Sequence, residues 1–177
     1  NGSIMTGFKT LLLSKILPYF IVGVFLIIPL LIKEYPAPNT PLKPEQCMKV
    51  NLYYEARGES EKGMKAVAAV VYNRTQSRVY PDSICKVIFQ NKQFSWTHQQ
   101  DPKEVYKLLE GSIGHLSKKD KEKYLLAKKI ARMPQKEVQK LLPKSVLWYH
   151  SSSVRPKWAR QGYKVAQIGS HIFYKKV

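Results

Sequence analysis

The sequence predicts an α+β fold: a mostly helical domain with a small antiparallel sheet, preceded by one transmembrane helix. Three observations carry that expectation. The apolar run Leu11 to Ile32 contains a single charge, Lys15. Behind it, segments with helical periodicity and recognisable caps occupy most of residues 45 to 142. Two short stretches rich in aromatic and branched side chains, Val146 to His150 and His171 to Lys175, read as strands able to pair.

Composition narrows the class. With 44% hydrophobic and 24% charged residues among 177, the chain is neither disordered nor a low-complexity fibre. Thirty Lys+Arg against 12 Asp+Glu give a net charge of +18, which calls for an anionic partner: nucleic acid, a membrane surface or an acidic polysaccharide. Two cysteines exclude a disulfide-rich mini-scaffold and a four-cysteine zinc site.

The organisation reads in order as follows. Residues 1–10 form an N-terminal tail. Residues 11–32 form a signal anchor, because helix at 1.5 Å per residue makes the run roughly 33 Å long against a hydrocarbon core of about 30 Å. A cleavable signal peptide is the alternative, but Lys33-Glu34-Tyr35-Pro36 offers a poor cleavage site. Lys9 and Lys15 at its start favour a cytoplasmic N-terminus and put the rest of the chain outside. Residues 33–44 form a linker, since Tyr35 to Pro44 holds four prolines in ten residues. Residues 45–177 form the folded domain.

Within the domain, Glu45 to Arg57 predicts a helix with Pro44 in its first turn and Gly58 as C-terminal cap. Met48, Leu52 and Glu55 share one face. Ser60 is expected to cap a second helix, Glu61 to Arg74, whose Met64 to Tyr72 stretch is apolar almost all round and therefore central. Pro81-Asp82-Ser83 opens a short helical segment through Phe89, with Asp82 as its cap. Lys118 to Leu142 reads as two amphipathic helices broken near Pro134.

Glu55 is the first candidate for chemistry. The last turn of a helix is electronegative and the stripe around Glu55 is apolar; both disfavour its carboxylate and raise its pKa, as a general acid near neutral pH requires. The competing reading is a structural pair with Arg57 or Arg74.

The ordered words Tyr54-Glu55-Ala56-Arg57-Gly58-Glu59, Ala66 to Arg74, Tyr80 to Gln90 and Gln93-Phe94-Ser95-Trp96 narrow the choice. Leu147-Trp148-Tyr149-His150, Pro156-Lys157-Trp158 and Ile168 to Tyr174 complete the series. Together they resemble the SleB/CwlJ-type cell-wall hydrolase family over nearly all of Glu45 to Tyr174. The lysine-rich Lys103 to Lys144 segment departs from the pattern, and the QFSW word lacks extra cysteines found in some relatives.

The resemblance implies a lysozyme-like domain acting on peptidoglycan, with lytic transglycosylation at the bond between N-acetylmuramic acid (MurNAc) and N-acetylglucosamine (GlcNAc). It maps the catalytic glutamate onto Glu55, with no cofactor and no metal. Glu59 is the secondary candidate, ahead of Asp82 and Asp101; its competing role is capping or pairing with an arginine. Tyr54, Gln93, Phe94, Ser95, Trp96, Tyr149, His150 and His171 are candidates for substrate binding. Core packing competes for Phe94 and for Trp158, and buried, satisfied rings compete for both histidines. Strand pairing is expected to bring His150 and His171 toward one site.

Cys47 and Cys85 lie within the region of resemblance, and an extracytoplasmic setting permits a disulfide between them. Closing that loop of roughly 39 residues contributes on the order of 4 kcal/mol through loop-closure entropy. Two buried free thiols are the alternative.

Rival readings are a muramidase, a zinc N-acetylmuramoyl-L-alanine amidase using Glu55, His150 and His171, and a membrane-tethered basic module that binds an anionic polymer without cleaving it. No His-Glu-x-x-His pair supports the amidase, and no zinc-finger or RNA-recognition pattern supports specific nucleic-acid reading. A phage endolysin with a releasable anchor is a further context. Such anchors are rich in Gly and Ala, whereas Leu and Ile dominate here, so stable anchoring is expected. The partners are then peptidoglycan and the membrane, and the protein is expected to be a monomer.

Overall fold

The computed structural model describes residues 41–176. The expected tail, the anchor over residues 11–32 and most of the linker lie outside the described residues. All described residues fall within one unit, Pro36–Val177. Among them, no helix is long and apolar enough to cross a membrane.

Helix α1 spans Pro44–Ala56 and α2 spans Glu61–Thr75. Pro44 stands in the first turn of α1, where a missing N–H costs nothing. The helix ends at Arg57 in right-handed conformation, and Gly58 does not take a left-handed φ, so Gly58 is not the cap its position suggests. The Ser60 hydroxyl caps α2 by accepting from the Gly63 amide at 3.2 Å. Helix α2 is the hub. Met64, Ala66, Val67, Ala68, Ala69, Val70 and Val71 are fully buried, and around them pack α1, the short helices α3 (Ile84–Ile88) and α7 (Gln135–Gln139), helix α6 (Lys118–Ala131), and the sheet. A disulfide joins Cys47 of α1 to Cys85 of α3, with Cα atoms 5.4 Å apart.

Two helices escape the sequence pattern: α4 (Trp96–Gln99) and α5 (Pro102–Glu110). Asp101, considered above as a carboxylate for catalysis, is instead the exposed N-cap of α5, accepting from the Lys103 amide at 2.9 Å. Asp82 corrects in the other direction. Ser83 occupies the N-cap of α3, and the Asp82 carboxylate makes an exposed ion pair with Lys86 at 3.3 Å.

The sheet comprises β1 (Val146–Ser151), β2 (Gly162–Ile168) and β3 (His171–Lys176), in the order β1-β3-β2 and antiparallel throughout. β1 and β3 are the expected pair; β2 is an addition, preceded by a 3-10 turn at Lys157–Arg160. The β2–β3 hairpin turns on Gly169 and Ser170, with Gly169 at φ +60°, a conformation suited to the first central position of a type II′ turn. β1 is an edge strand whose register shifts between Val146 and Trp148. Side chains of α2 take up the carbonyls there: Asn73 donates to Val146 O at 3.1 Å and Arg74 to Leu147 O at 2.9 Å. These bonds fix the start of β1 on the end of α2 and so determine where Trp148 and Tyr149 stand.

Candidate active site

Glu55 lies in the last turn of α1, half-buried. The Tyr149 hydroxyl, arriving from β1, donates to its Oε2 at 2.9 Å. Burial pushes the Glu55 carboxyl above its ordinary range, while the Tyr149 hydrogen bond and the Arg74 charge pull it part of the way back. Glu55 makes no ion pair among the described residues. Arg57 turns away to the Tyr53 hydroxyl at 3.2 Å and to Asp120 at 3.7 Å. The Tyr149 phenol is itself held well above its usual pKa, chiefly by burial and then by the Glu55 charge, so it remains a donor.

Beside Tyr149 opens a cleft of about 420 Å³ lined by Arg74, Tyr80, Lys92, Gln93, Trp148, Tyr149 and Trp158. Its walls are aromatic. Trp148 donates from Nε1 to the Tyr80 hydroxyl at 2.9 Å, and Trp158 leans on Trp148 with ring centres 6.2 Å apart. Arg74 lies over the rings of Tyr80 and Phe94, at 5.1 and 5.4 Å from their centres. Broad aromatic faces with a few polar groups between them match a sugar ring, which has apolar C–H faces and a polar rim.

Glu59 occupies a different setting. Its carboxylate is 9% exposed and accepts from the amide and the hydroxyl of Ser170 in the β2–β3 turn. Gly169 and Gly63 make room for it: an added Cβ would come within 1.8 and 2.8 Å of Glu59 Oε2. The neighbouring Lys123 of α6 donates to the Glu59 carbonyl at 3.0 Å. Glu59 neither pairs with an arginine nor caps a helix with its side chain; it clamps the hairpin turn.

The two histidines do not meet. Adjacent strand residues face opposite sides of a sheet, so His150 follows Tyr149 onto the other face. His150 Nδ1–H donates to Ser151 O at 2.9 Å, Nε2 accepts from the Tyr174 hydroxyl at 3.0 Å, and its ring stacks on Tyr174. His171 lies on the inner face, edge-on to Tyr149 with ring centres 5.1 Å apart. Its Nδ1 is 3.7 Å from Glu59 Oε1, too long for a hydrogen bond, and is buried with no partner among the described residues. Burial lowers the His171 pKa, with Glu59 opposing. Glu55, His150 and His171 therefore do not form a ligand set. Among the described residues, no group of three His, Cys, Asp or Glu side chains is arranged to hold a metal ion.

The aromatic candidates divide. Trp96 is only 3% exposed, donates to Asn51 Oδ1 at 2.9 Å and stacks on Tyr54 with ring centres 5.0 Å apart, so it offers no face to a ligand. Phe94, at 2% exposed, is core beneath Arg74, the alternative its sequence left open. Trp158, for which core packing was the alternative, is 39% exposed and lines the cleft. Gln93 lines the cleft, whereas Ser95 is exposed without lining it. Sequence reasoning missed Arg74, Tyr80 and Trp148 as cleft residues and Ser170 as the partner of Glu59. Their signal was position within the quoted words, with nothing in spacing to assign a role.

The sequence pattern of the Cell Wall Hydrolase family matches residues 58–174, starting three positions after Glu55 and including Glu59, Tyr149 and both histidines. The chain is 46% identical over 50 residues to spore cortex-lytic enzymes of Oceanobacillus iheyensis and Halalkalibacterium halodurans. Each match covers 28% of this chain and 18% and 15% of those proteins, respectively. Among solved structures it is similar to the catalytic domain of the germination-specific lytic transglycosylase SleB from Bacillus anthracis. That similarity is 27% identity over 78% of this chain and 100% of the other, with a TM-score of 0.47. The catalytic domain of Bacillus cereus SleB gives 27% identity over 78% and 94%, with a TM-score of 0.45. With most of its folded domain matched by that pattern, the chain belongs to the cell wall hydrolase family, a family of enzymes.

Proposed function

We propose that this enzyme cleaves the MurNAc–GlcNAc bond of peptidoglycan as a lytic transglycosylase, with Glu55 as its single acid/base. The observation that carries the reading is the Glu55 carboxyl: half-buried, pushed toward its protonated form, and bonded to Tyr149, which lines an aromatic cleft that Glu55 itself does not line. Glu55 donates its proton to the glycosidic oxygen as the bond to C1 of MurNAc breaks, and GlcNAc departs with a free hydroxyl. The C6 hydroxyl of the same MurNAc then attacks C1 and returns its proton to Glu55, closing a 1,6-anhydro ring. The sugar supplies the nucleophile, so no second carboxylate is needed, unlike in hydrolysing glycosidases. The engagement of Glu59 by Ser170 fits this economy, because a clamped carboxylate is poorly disposed to activate water.

In the cleft, Trp158 and Trp148 supply sugar-facing walls, and Gln93 and Arg74 supply hydrogen bonds to the rim. The enzyme works as a monomer held at the membrane by Leu11 to Ile32, with the catalytic domain on the wall side. The test is mass spectrometry of fragments released from purified sacculi. Anhydro ends support the proposal. Reducing ends, heavier by one water, indicate a muramidase, and free stem peptides indicate an amidase; either result overturns it.

A further inference from the structure

We propose that the groove between the C-terminal end of α2 and helix α7 binds the free carboxylates of peptidoglycan stem peptides, a second subsite outside the catalytic cleft. The inference rests on the reading of the protein as a peptidoglycan-cleaving enzyme. The groove encloses about 590 Å³ and is lined by Gln76, Gln135, Lys136, Gln139, Lys140 and Lys144. Among the described residues no carboxylate lines it, Glu137 of α7 included. Among the described residues, none of the three lysines takes part in an ion pair. On α6, by contrast, Lys129 is engaged with Glu61 at 3.3 Å, and just beyond it Arg132 with Glu45 at 2.7 Å. Three unpaired ammonium groups around one concavity produce a local positive potential that a flexible anion would neutralise.

The floor favours a peptide over a phosphate polymer. Gln135 Nε2 donates to Gln139 Oε1 at 3.1 Å, and Gln139 Nε2 donates to Asn73 Oδ1 at 2.9 Å, so a row of amides is anchored to the end of α2. The Gln139 amide is spent within this row, its Nε2 donating also to Gln76 Oε1 at 3.4 Å. It is therefore Gln135 Oε1 and Gln76 Nε2 that match the hydrogen bonding of a peptide backbone, while separated lysines match carboxylates spaced along it. A phosphate site would favour the planar fork of arginine, and no arginine lines this groove. Location supports the same occupant. Arg74 lines the catalytic cleft and Gln76 lines the groove, so the two cavities flank the last turn of α2. A glycan held in the cleft carries its peptides on MurNAc. An extended peptide covers about 3.3–3.6 Å per residue, so a few residues suffice to pass a helix about 10 Å across.

The test uses stem peptides released from sacculi, with their carboxylates free or amidated. Their binding to the full chain in detergent micelles is followed by NMR. The free peptide is expected to bind in a salt-sensitive manner and to lose about tenfold in affinity with K136Q/K140Q/K144Q, from three exposed charge contacts. The charge-matched variant K118Q/K119Q/K121Q on α6 should bind as the parent does, and the amidated peptide should bind weakly to all three proteins. Absence of binding, equal loss in both triple variants, or undiminished binding of the amidated peptide would overturn the proposal. Displacement of the peptide by equimolar poly(glycerol phosphate) would also overturn it, in favour of a phosphate ligand. The peptide contains no glycosidic bond, so this result is independent of whether Glu55 proves to be the acid/base.

Discussion

Glu55 and Glu59 stand four positions apart, yet their surroundings differ: burial raises the Glu55 pKa, while Ser170 of the hairpin turn engages the Glu59 carboxylate. Burial biases Glu55 toward its neutral form, so Glu55→Gln should reduce wall cleavage by about 10²–10⁴-fold while leaving the fold intact. The linkage has a definite sign. A carboxyl whose folded pKa lies above its unfolded value stabilises the protein below the unfolded value, and that contribution is lost as pH rises through the folded pKa. Glu55→Gln should therefore match or exceed the parent in melting temperature at neutral pH, and the difference should vanish at acid pH. Tyr149→Phe removes a bond that favours the Glu55 anion, so the Glu55 pKa rises further and the alkaline limb of the pH–rate profile should move to higher pH. An unmoved limb would dissociate Tyr149 from the acid. The raised pKa of Glu55 was legible in sequence because a helix end and an apolar stripe are local features. Its bond to Tyr149 was not, because 94 positions separate the two and only the register of β1 brings them together. Glu59 was illegible for the same reason, its partners lying 111 positions away in a turn.

At the scale of elements, legibility followed length and density of apolar residues. Helices α1 and α2 are buried almost all round over 13 and 15 residues, and α6 runs for 14 behind a Ser117 cap. Helix α5, although it buries Val105, Leu108 and Leu109 on one side, has only nine residues, and only Asp101 and Pro102 mark where it begins. Strand β2 has no regular alternation of buried and exposed positions, so its sequence offers no period of two to detect. The hairpin it forms depends on Gly169 for two reasons at once: φ is +60°, and a Cβ would meet Glu59 Oε2 at 1.8 Å. Gly169→Ala should therefore lower stability by about 2 kcal/mol or more in denaturant titration. Gly58→Ala, with nothing within 4 Å of the new Cβ, should change it by no more than about 0.5 kcal/mol. Equal effects would mean that the turn is not clamped by Glu59. The Cys47–Cys85 bond closes a loop with a sequence separation of 38, and its loss in a Cys47→Ala/Cys85→Ala variant should cost about 2–4 kcal/mol by the same titration.

On the scale of the whole molecule, charge and attachment act together. Most of the chain's +18 excess lies in residues 45–177 and attracts the domain to anionic surfaces, so weak association with membranes would not by itself establish an anchor. Electrostatic adhesion and a spanning helix respond differently to conditions. Adhesion of exposed charges is screened by salt and released at alkaline pH as lysines lose their protons, whereas burial of Leu11 to Ile32 in hydrocarbon is indifferent to both. The full chain should therefore remain in the membrane pellet after high salt and alkaline carbonate. A chain beginning at Pro36, where the compact unit starts, should wash free under the same treatment and still release fragments from sacculi. Recovery of the intact full chain in the soluble fraction after carbonate would refute the anchor, and would leave adhesion of the basic domain as the force holding the enzyme near the wall.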